Sequence, residues 1–365
     1  MHHYSGKKSR QLLLSAFTTP ATLAQLSIQE WELLVRMLRA NKLLASFAAR
    51  IELTHPDLKI PAKVAENFQA AQRLVDYRKK LVLWELNRLN KVLAELDIDV
   101  IVLKGGAYIL QGLHMSVGRL LADIDILVPK QDIARVEKHL LAHGWQTTQH
   151  DEYDQQYYRN WMHEIPALRH HERFIEVDIH HTILPLTSRL HPDPRRLFAG
   201  AVAVAGYDCK VLSTYDMLLH SAVHLFYDAE LNASDLRDLL DLHELFSLFS
   251  SQDVQFWKKL EKRAVELELQ RPLYYAMYFS KQLFNTEIPT DVLVASKGRP
   301  LYGVRVFMAY CVPLALLPEN PDYPQKKVAF IRWLLYLRSH YLRMPLTLLI
   351  PHLLKKSKSR LQANQ

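Results

Sequence analysis

The stretch Arg119-Leu-Leu-Ala-Asp-Ile-Asp-Ile-Leu-Val128, closed by Pro129, alternates acidic and aliphatic residues over its second half. Side chains at i and i+2 of a strand share a face. Asp123–Val128 therefore reads as a strand with Ile124, Ile126 and Val128 turned into a core and Asp123 and Asp125 together on the other side. Two neighbouring carboxylates repel each other unless a cation lies between them, and Mg²⁺ takes carboxylate together with phosphate oxygens. Alone, Asp-x-Asp is more often the solvent-facing edge of a sheet.

The flanks extend the pattern. Upstream, Asp99–Leu103 is a short β-branched run, read as a buried strand, followed by Lys104-Gly105-Gly106 and a short helix over Ala107–Leu113. Downstream, Gln131–His143 is amphipathic, with Gly144 as its C-cap. Trp145–Gln149, a stretch near Tyr157–Met162, and Arg173–His180 read as further strands. Strands alternating with helices make a small α/β domain. In the last strand Phe174, Glu176, Asp178 and His180 share a face. Three carboxylates from two adjacent strands suffice to hold two metal ions about 4 Å apart for in-line phosphoryl or nucleotidyl transfer. Asp178 is the candidate base, or the ligand that activates the nucleophile, and Glu176 reads as a solvated residue. His180 is placed to donate to Asp178 or a phosphate, or simply to pack.

Only ten of 365 residues are glycine, against about 7% in an average chain, so most of the chain is expected to be helical. Gly105, Gly106, Gly112 and Gly118 nevertheless fall within fourteen residues. Lys104-Gly105-Gly106 lies at a strand-to-helix turn, where free backbone N–H groups suit phosphate oxygens. Lys104 is expected to turn its ammonium to the ligand; a plain tight turn is the alternative. Arg119 is placed to pair with a carboxylate or clamp a phosphate.

The chain divides into a helical region (1–96), the strand-bearing core (97–210) and a second helical region (211–365). Ser27-Ile-Gln-Glu30 is a capping box before the apolar face Trp31, Leu34, Val35 and Leu38. Ala65–Leu96 runs without proline or glycine. Beyond Val211, Ser213-Thr-Tyr-Asp216 opens another helix, with further helices over Asp235–Phe249 and Trp257–Leu269. Pro313, Pro318, Pro321 and Pro324 mark a loop. His220 and His224 have zinc-compatible i, i+4 spacing but neither the Glu of H-E-x-x-H nor a third ligand. Arg237 and Asp241 read as an ordinary i, i+4 pair, and Asp238 as part of a solvated face.

Hydrophobic residues are 49% and charged residues 23%, which excludes a disordered chain, a collagen-like chain and a disulfide scaffold. A net charge of +8 permits an anionic partner without requiring one. Cys209 and Cys311 read as free thiols of a reducing compartment. The apolar run Leu12–Phe17 is interrupted by Thr18, Thr19 and Pro20, so no signal peptide is expected, and no apolar run reaches 18 residues; a cytoplasmic location is expected. The apolar Met344–Leu354 and the basic Lys355–Arg360 also permit peripheral membrane contact, the weaker reading beside a packed terminal segment.

Leu103-Lys-Gly-Gly-Ala107 with Tyr108, Arg119–Val128, and Val177-Asp-Ile-His180 together resemble the polymerase-β-type nucleotidyltransferase superfamily. Within it they resemble the uncharacterised bacterial branch with a Lys-Gly turn, an Arg-x-x-x-Asp-Ile-Asp strand and an Asp-Leu-His strand. The flanking helices, with Trp31 and the His-x-x-x-His pair, are similar too. The resemblance implies an α+β fold, a small mixed β-sheet nucleotidyltransferase core flanked by N-terminal and C-terminal helical regions. It implies two Mg²⁺ ions, or Mn²⁺, on Asp123, Asp125 and Asp178. The donor would be an NTP such as ATP, with transfer of a nucleoside monophosphate to an acceptor and release of pyrophosphate. Lys104, Gly105, Gly106 and Arg119 would bind the nucleotide, and His180, His224 and Asp238 would lie on the acceptor side. The superfamily usually has Gly-Ser where this chain has Gly105-Gly106, so no hydroxyl is offered to a phosphate. Nucleic acid is not expected as a partner, because no basic–aromatic element accompanies the core. A non-catalytic nucleotide-sensing or partner-binding module on the same fold is the alternative; the presence of all three carboxylates speaks against it.

Overall fold

The computed structural model describes residues 6–149 and 151–349; residues 350–354 of the apolar segment and the basic run Lys355–Arg360 lie outside them. The described residues begin with α1 (Gly6–Thr18), α2 (Ile28–Ala40), α3 (Leu44–Thr54) and α4 (Ala62–Ala94). The expected box at α2 is present: the Ser27 hydroxyl accepts from Glu30 N, and the Glu30 carboxylate accepts from Ser27 N. In α4 the buried Val75, Val82, Leu86, Leu89 and Leu93 recur every three to seven residues, one stripe of a helix. Edge-to-face contacts of Phe68 with Trp31 at 6.3 Å and Phe47 at 6.0 Å fasten α2 and α3 to α4.

The core follows as β1 (Ile101–Val102), α5 (Lys104–Leu110), β2 (Asp123–Leu127), α6 (Ile133–Ala142), β3 (Trp145–Thr147), α7 (Glu152–Trp161), β4 (Leu168–His170), β5 (Glu176–His180), α8 (Pro194–Gly200), β6 (Val202–Ala203) and β7 (Lys210–Val211). The strands form one mixed sheet in the order β3-β4-β5-β2-β1-β7-β6. β2 runs parallel to β5 and antiparallel to β1. Ile124, Ile126, Val177 and Ile179 are fully buried, each stabilising the fold by about 1.5–3 kcal/mol. That burial fixes which face of β2 and β5 is left for polar side chains.

One expected strand is a helix. The sequence reads as extended near Tyr157–Met162, and its tyrosines and tryptophan are compatible with a strand. The Asp151 side chain accepts from Asp154 N and caps α7 instead. Tyr157 and Trp161, one helical turn apart, pack edge to face at 5.6 Å.

The remaining helices are α9 (Thr214–Val223), α10 (Leu236–Gln252), α11 (Phe256–Glu266), α12 (Gln270–Phe284), α13 (Thr290–Ala295), α14 (Tyr302–Leu316) and α15 (Lys326–Arg343). A π-turn over His224–Asp228 continues α9. Pro313 belongs to α14 rather than to a loop. The buried Cys311, Val312, Ala315 and Leu316 hold its last turn against the loss of one amide donor. Pro318, Pro321 and Pro324 do lie in the connection to α15. One cluster of buried apolar residues runs from Leu12 to Leu335, and Phe17 of α1 meets Phe284 of α12 at 5.8 Å. No described helix is long and apolar enough to cross a membrane.

Candidate active site

Register brings the acids together. Asp125 pairs with Asp178 across β2 and β5, and Asp123 pairs with Glu176. Residues opposite each other in a sheet project to the same side, so all four carboxylates share the face left open by the buried aliphatics. Glu176 meets Arg169 at 3.7 Å near solvent, as a solvated residue should. The Asp178 carboxyl is pushed up to about 8, first by burial and then by the charges of Asp125 and Glu164. Asp123 lies at the open end of β2; its carboxyl is raised by the surrounding protein and by Asp125.

Asp125 is the hub. Its Oδ1 accepts from Lys104 Nζ at 2.8 Å and from His180 Nε2 at 3.1 Å. Burial opposes its charge, but the ammonium and imidazole prevail and hold its carboxyl well below the usual range. Rather than facing a ligand, as the sequence suggests, Lys104 pairs its ammonium internally with Asp125. Its backbone is left-handed, with φ +46°, a conformation that costs a side-chain-bearing residue about 1–2 kcal/mol and that turns the chain from β1 into α5.

The neighbouring glycines serve close approach. A Cβ on Gly105 would lie 2.2 Å from Leu121 Cδ2 and 3.1 Å from Arg119 Nε, and one on Gly106 2.8 Å from Val102 Cγ1. Gly118, at φ +79°, presses against the backbone of Ala45 and Ser46. The first helical region thus seats the segment that delivers Arg119.

Arg119 is buried. It forms an ion pair with Asp241 and lies 3.5 Å from Asp238. Asp238 is therefore not part of a solvated face, and Asp241 pairs with Arg119 rather than with Arg237. Arg237 donates to the Leu120 carbonyl at 3.0 Å; its pKa is pushed down to about 10, first by the charge of Arg119 and then by burial. The buried Nε atoms of both arginines have no hydrogen-bond partner among the described residues. A small cavity bounded by Lys104, Tyr108, Arg119, Ser221, His224 and Asp238 lies beneath. His224 Nδ1 is 3.8 Å from Asp238, whereas His220 is buried in α9.

A second wall comes from residues the sequence did not single out. An isolated bridge sets Glu164 opposite His180, with Glu164 Oε2 3.3 Å from His180 Nδ1. Burial would lower the His180 pKa, but Asp125 and Glu164 raise it. His163 stacks on His180 at 5.1 Å and lies 3.9 Å from Asp228 of the π-turn; burial drives its pKa down to about 3. No local pattern marks Glu164 or Asp228, because their partners belong to other elements.

The donor set fits divalent cations. Three carboxylates share one face, burial and then the charge of Asp125 raise the pKa values of Asp123 and Asp178, and Lys104 and His180 both bond the same oxygen of Asp125, Oδ1. The ligand oxygens of the three carboxylates do not all lie within 4.8 Å of one another; that closeness is costly for like charges without an ion.

Paired aspartates on one face of two parallel strands of a mixed sheet are what the resemblance to nucleotidyltransferases implies. The chain belongs to the family described as "Uncharacterised nucleotidyltransferase", whose model matches residues 27–285. No curated protein matches the chain.

Proposed function

We propose that the protein transfers a nucleoside monophosphate from an NTP to an acceptor, with Asp123, Asp125 and Asp178 holding two Mg²⁺ or Mn²⁺ ions. The observation that carries this reading is the register pair Asp125–Asp178 beside Asp123. When bound, the ions supply charge neutralisation of the phosphates and a more nucleophilic acceptor oxygen. The acceptor oxygen bonds to the α-phosphorus, the bond from that phosphorus to the bridging oxygen breaks, and pyrophosphate leaves. Asp178 takes up the proton that the acceptor oxygen loses, and would also help to hold the ion that makes that oxygen more nucleophilic. The buried Arg119, whose Nε has no hydrogen-bond partner among the described residues, and the half-buried Arg237 would meet the donor phosphates; Lys104, Gly105 and Gly106 form the adjoining turn. His180, held between Asp125 and Glu164, keeps the Asp125 carboxylate oriented. His224 and Asp238 line the same small cavity as Lys104 and Arg119, and the acceptor would enter on their side.

A second reading, a nucleotide-sensing module without turnover, draws on one observation: the Lys104 ammonium already neutralises Asp125. One assay separates the two. The protein is incubated with each α-labelled NTP and Mg²⁺, and transferred label and pyrophosphate are measured. Stoichiometric binding without pyrophosphate release would favour the module and overturn the enzyme.

A further inference from the structure

The net charge of the chain is concentrated at one end. Residues 297–365 carry twelve Lys and Arg against two acids, Glu319 and Asp322, whereas the preceding 296 residues carry 34 against 36. Both acids are already engaged, Glu319 with Arg332 at 3.4 Å and Asp322 with Arg36 at 2.7 Å. Neither α14 nor α15 contains an acidic residue.

The same two helices carry an uncovered apolar face. In α15, Val328, Ile331, Leu335 and Ser339 are buried. On the opposite side Phe330, Trp333, Leu337 and Tyr341 form a second stripe at helical spacing, with Phe330 58% and Trp333 52% exposed. In α14, Tyr302, Val306 and Tyr310 are exposed one turn apart. The stripes adjoin, because Lys327 of α15 stands 4.9 Å over the Tyr310 ring. Patches of this extent on a folded chain mark a binding surface. Both helices lie beyond the residues matched by the family model.

We propose that the α14–α15 face docks the protein on an anionic phospholipid surface. Trp and Tyr rings favour the headgroup level of a bilayer, aliphatic side chains enter below it, and Lys and Arg reach the phosphates. Lys326 and Lys327 flank the stripe, and Lys355–Arg360 continue the same charge. A second copy of the chain suits the face poorly, since it would set cations against cations with no acid on either helix to pair them. Single-stranded RNA would use the rings for stacking but leaves the exposed Leu301, Val304 and Leu337 without a partner. The face is the outer side of a helix that braces the site: Arg338 on α15 donates to the Phe226 carbonyl of the π-turn at 3.0 Å. The proposal does not depend on nucleotidyl transfer.

Co-sedimentation of the full chain tests it, using vesicles of phosphatidylcholine alone and of phosphatidylcholine with an equal share of phosphatidylglycerol. The protein is expected to pellet with the anionic vesicles only, and less so as salt is raised. Phe330→Ser with Trp333→Ser, and separately Lys326→Gln with Lys327→Gln, should each weaken partition about tenfold while leaving the thermal midpoint unchanged. Failure to pellet with anionic vesicles overturns the proposal. So does equal pelleting of wild type and the Phe330/Trp333 variant, which would place binding in the basic run alone. Retention of labelled single-stranded RNA without vesicle binding, or a dimer that the same variant dissolves, would assign the face to another partner.

Discussion

Lys104 donates to Asp125 Oδ1 at 2.8 Å from a backbone held at φ +46°, so a strained residue supplies the cation that a buried carboxylate needs. Strain of this kind persists only where the surroundings over-determine it. Here the strand-to-helix turn, the Gly105 contact with the 119–121 segment and the ion pair all act on the same residue.

Lys104→Met removes the ammonium and leaves Asp125 charged and buried. A loss of about 3 kcal/mol is expected, read as a lower melting temperature in chelator. Added Mg²⁺ should recover part of it. Lys104→Gly, which also relieves the left-handed backbone, should melt above Lys104→Met. A melting temperature equal to wild type in both variants would show that the pair contributes nothing.

Asp123→Asn and Asp125→Asn should behave alike in activity and oppositely in stability. Each is expected to lower Mg²⁺-dependent turnover at least about a hundredfold. Without metal, Asp123→Asn should stabilise slightly, by about 1 kcal/mol or less, because burial and Asp125 disfavour its charge. Asp125→Asn should destabilise, because Lys104 and His180 both lose their acceptor. Thermal melts with and without Mg²⁺ check the contrast, and equal shifts for the two variants would contradict it.

Asp178→Asn should depress kcat far more than it raises KM for the NTP, since its proposed role lies with the acceptor. Glu176→Gln should change neither beyond a factor of about two, because Glu176 meets only Arg169 near solvent. Steady-state kinetics on both variants decide the matter; damage confined to Glu176→Gln would reassign the third carboxylate.

Arg119→Met and Asp241→Asn should each cost about 3 kcal/mol, because either leaves a buried charge without its partner. The double variant should cost less than their sum. Urea denaturation of the four proteins measures the coupling, and strict additivity would mean that the pair does not tie α10 to the core.

His243 gives a pH dependence away from the carboxylates. Its pKa is pushed down to about 4, first by burial and then by the Arg50 charge, while its Nδ1 lies 2.8 Å from Thr286 Oγ1. The folded state therefore binds this proton less readily than the unfolded chain, whose histidine titrates near 6.5. The stabilisation is complete above about pH 6.5 and is lost as pH falls from there to about 4. His243→Gln should flatten the stability profile across that window, with no change in slope above pH 7. Denaturant midpoints at pH 5 and pH 7 provide the measurement; parallel profiles would remove His243 from the account.

Asp123, Asp125 and Asp178 were legible because a strand with one buried face writes its geometry into alternate residues. Ile124, Ile126, Val177 and Ile179 mark the inner face, so the acids between them must share the other. The caps Ser27 and Ser213 were legible for a related reason, since a capping side chain bonds an amide only three residues away. At Tyr157–Met162 two local signals conflict, aromatic preference for sheet against the Asp151 cap, and the cap prevails.

The sequence by itself determined the faces: which side of each strand and helix is apolar, and where the acids and the glycine-rich turn fall along the chain. Only the tertiary structure decided the partners. Lys104 meets Asp125 across 21 residues, His180 meets Asp125 across 55, and Arg237 meets the Leu120 carbonyl across 117. Periodicity is a property of neighbouring residues along one element. An ion pair depends on which opposite charge lies nearest once separate elements have packed, and that distance is set by the buried contacts between them rather than by any local pattern.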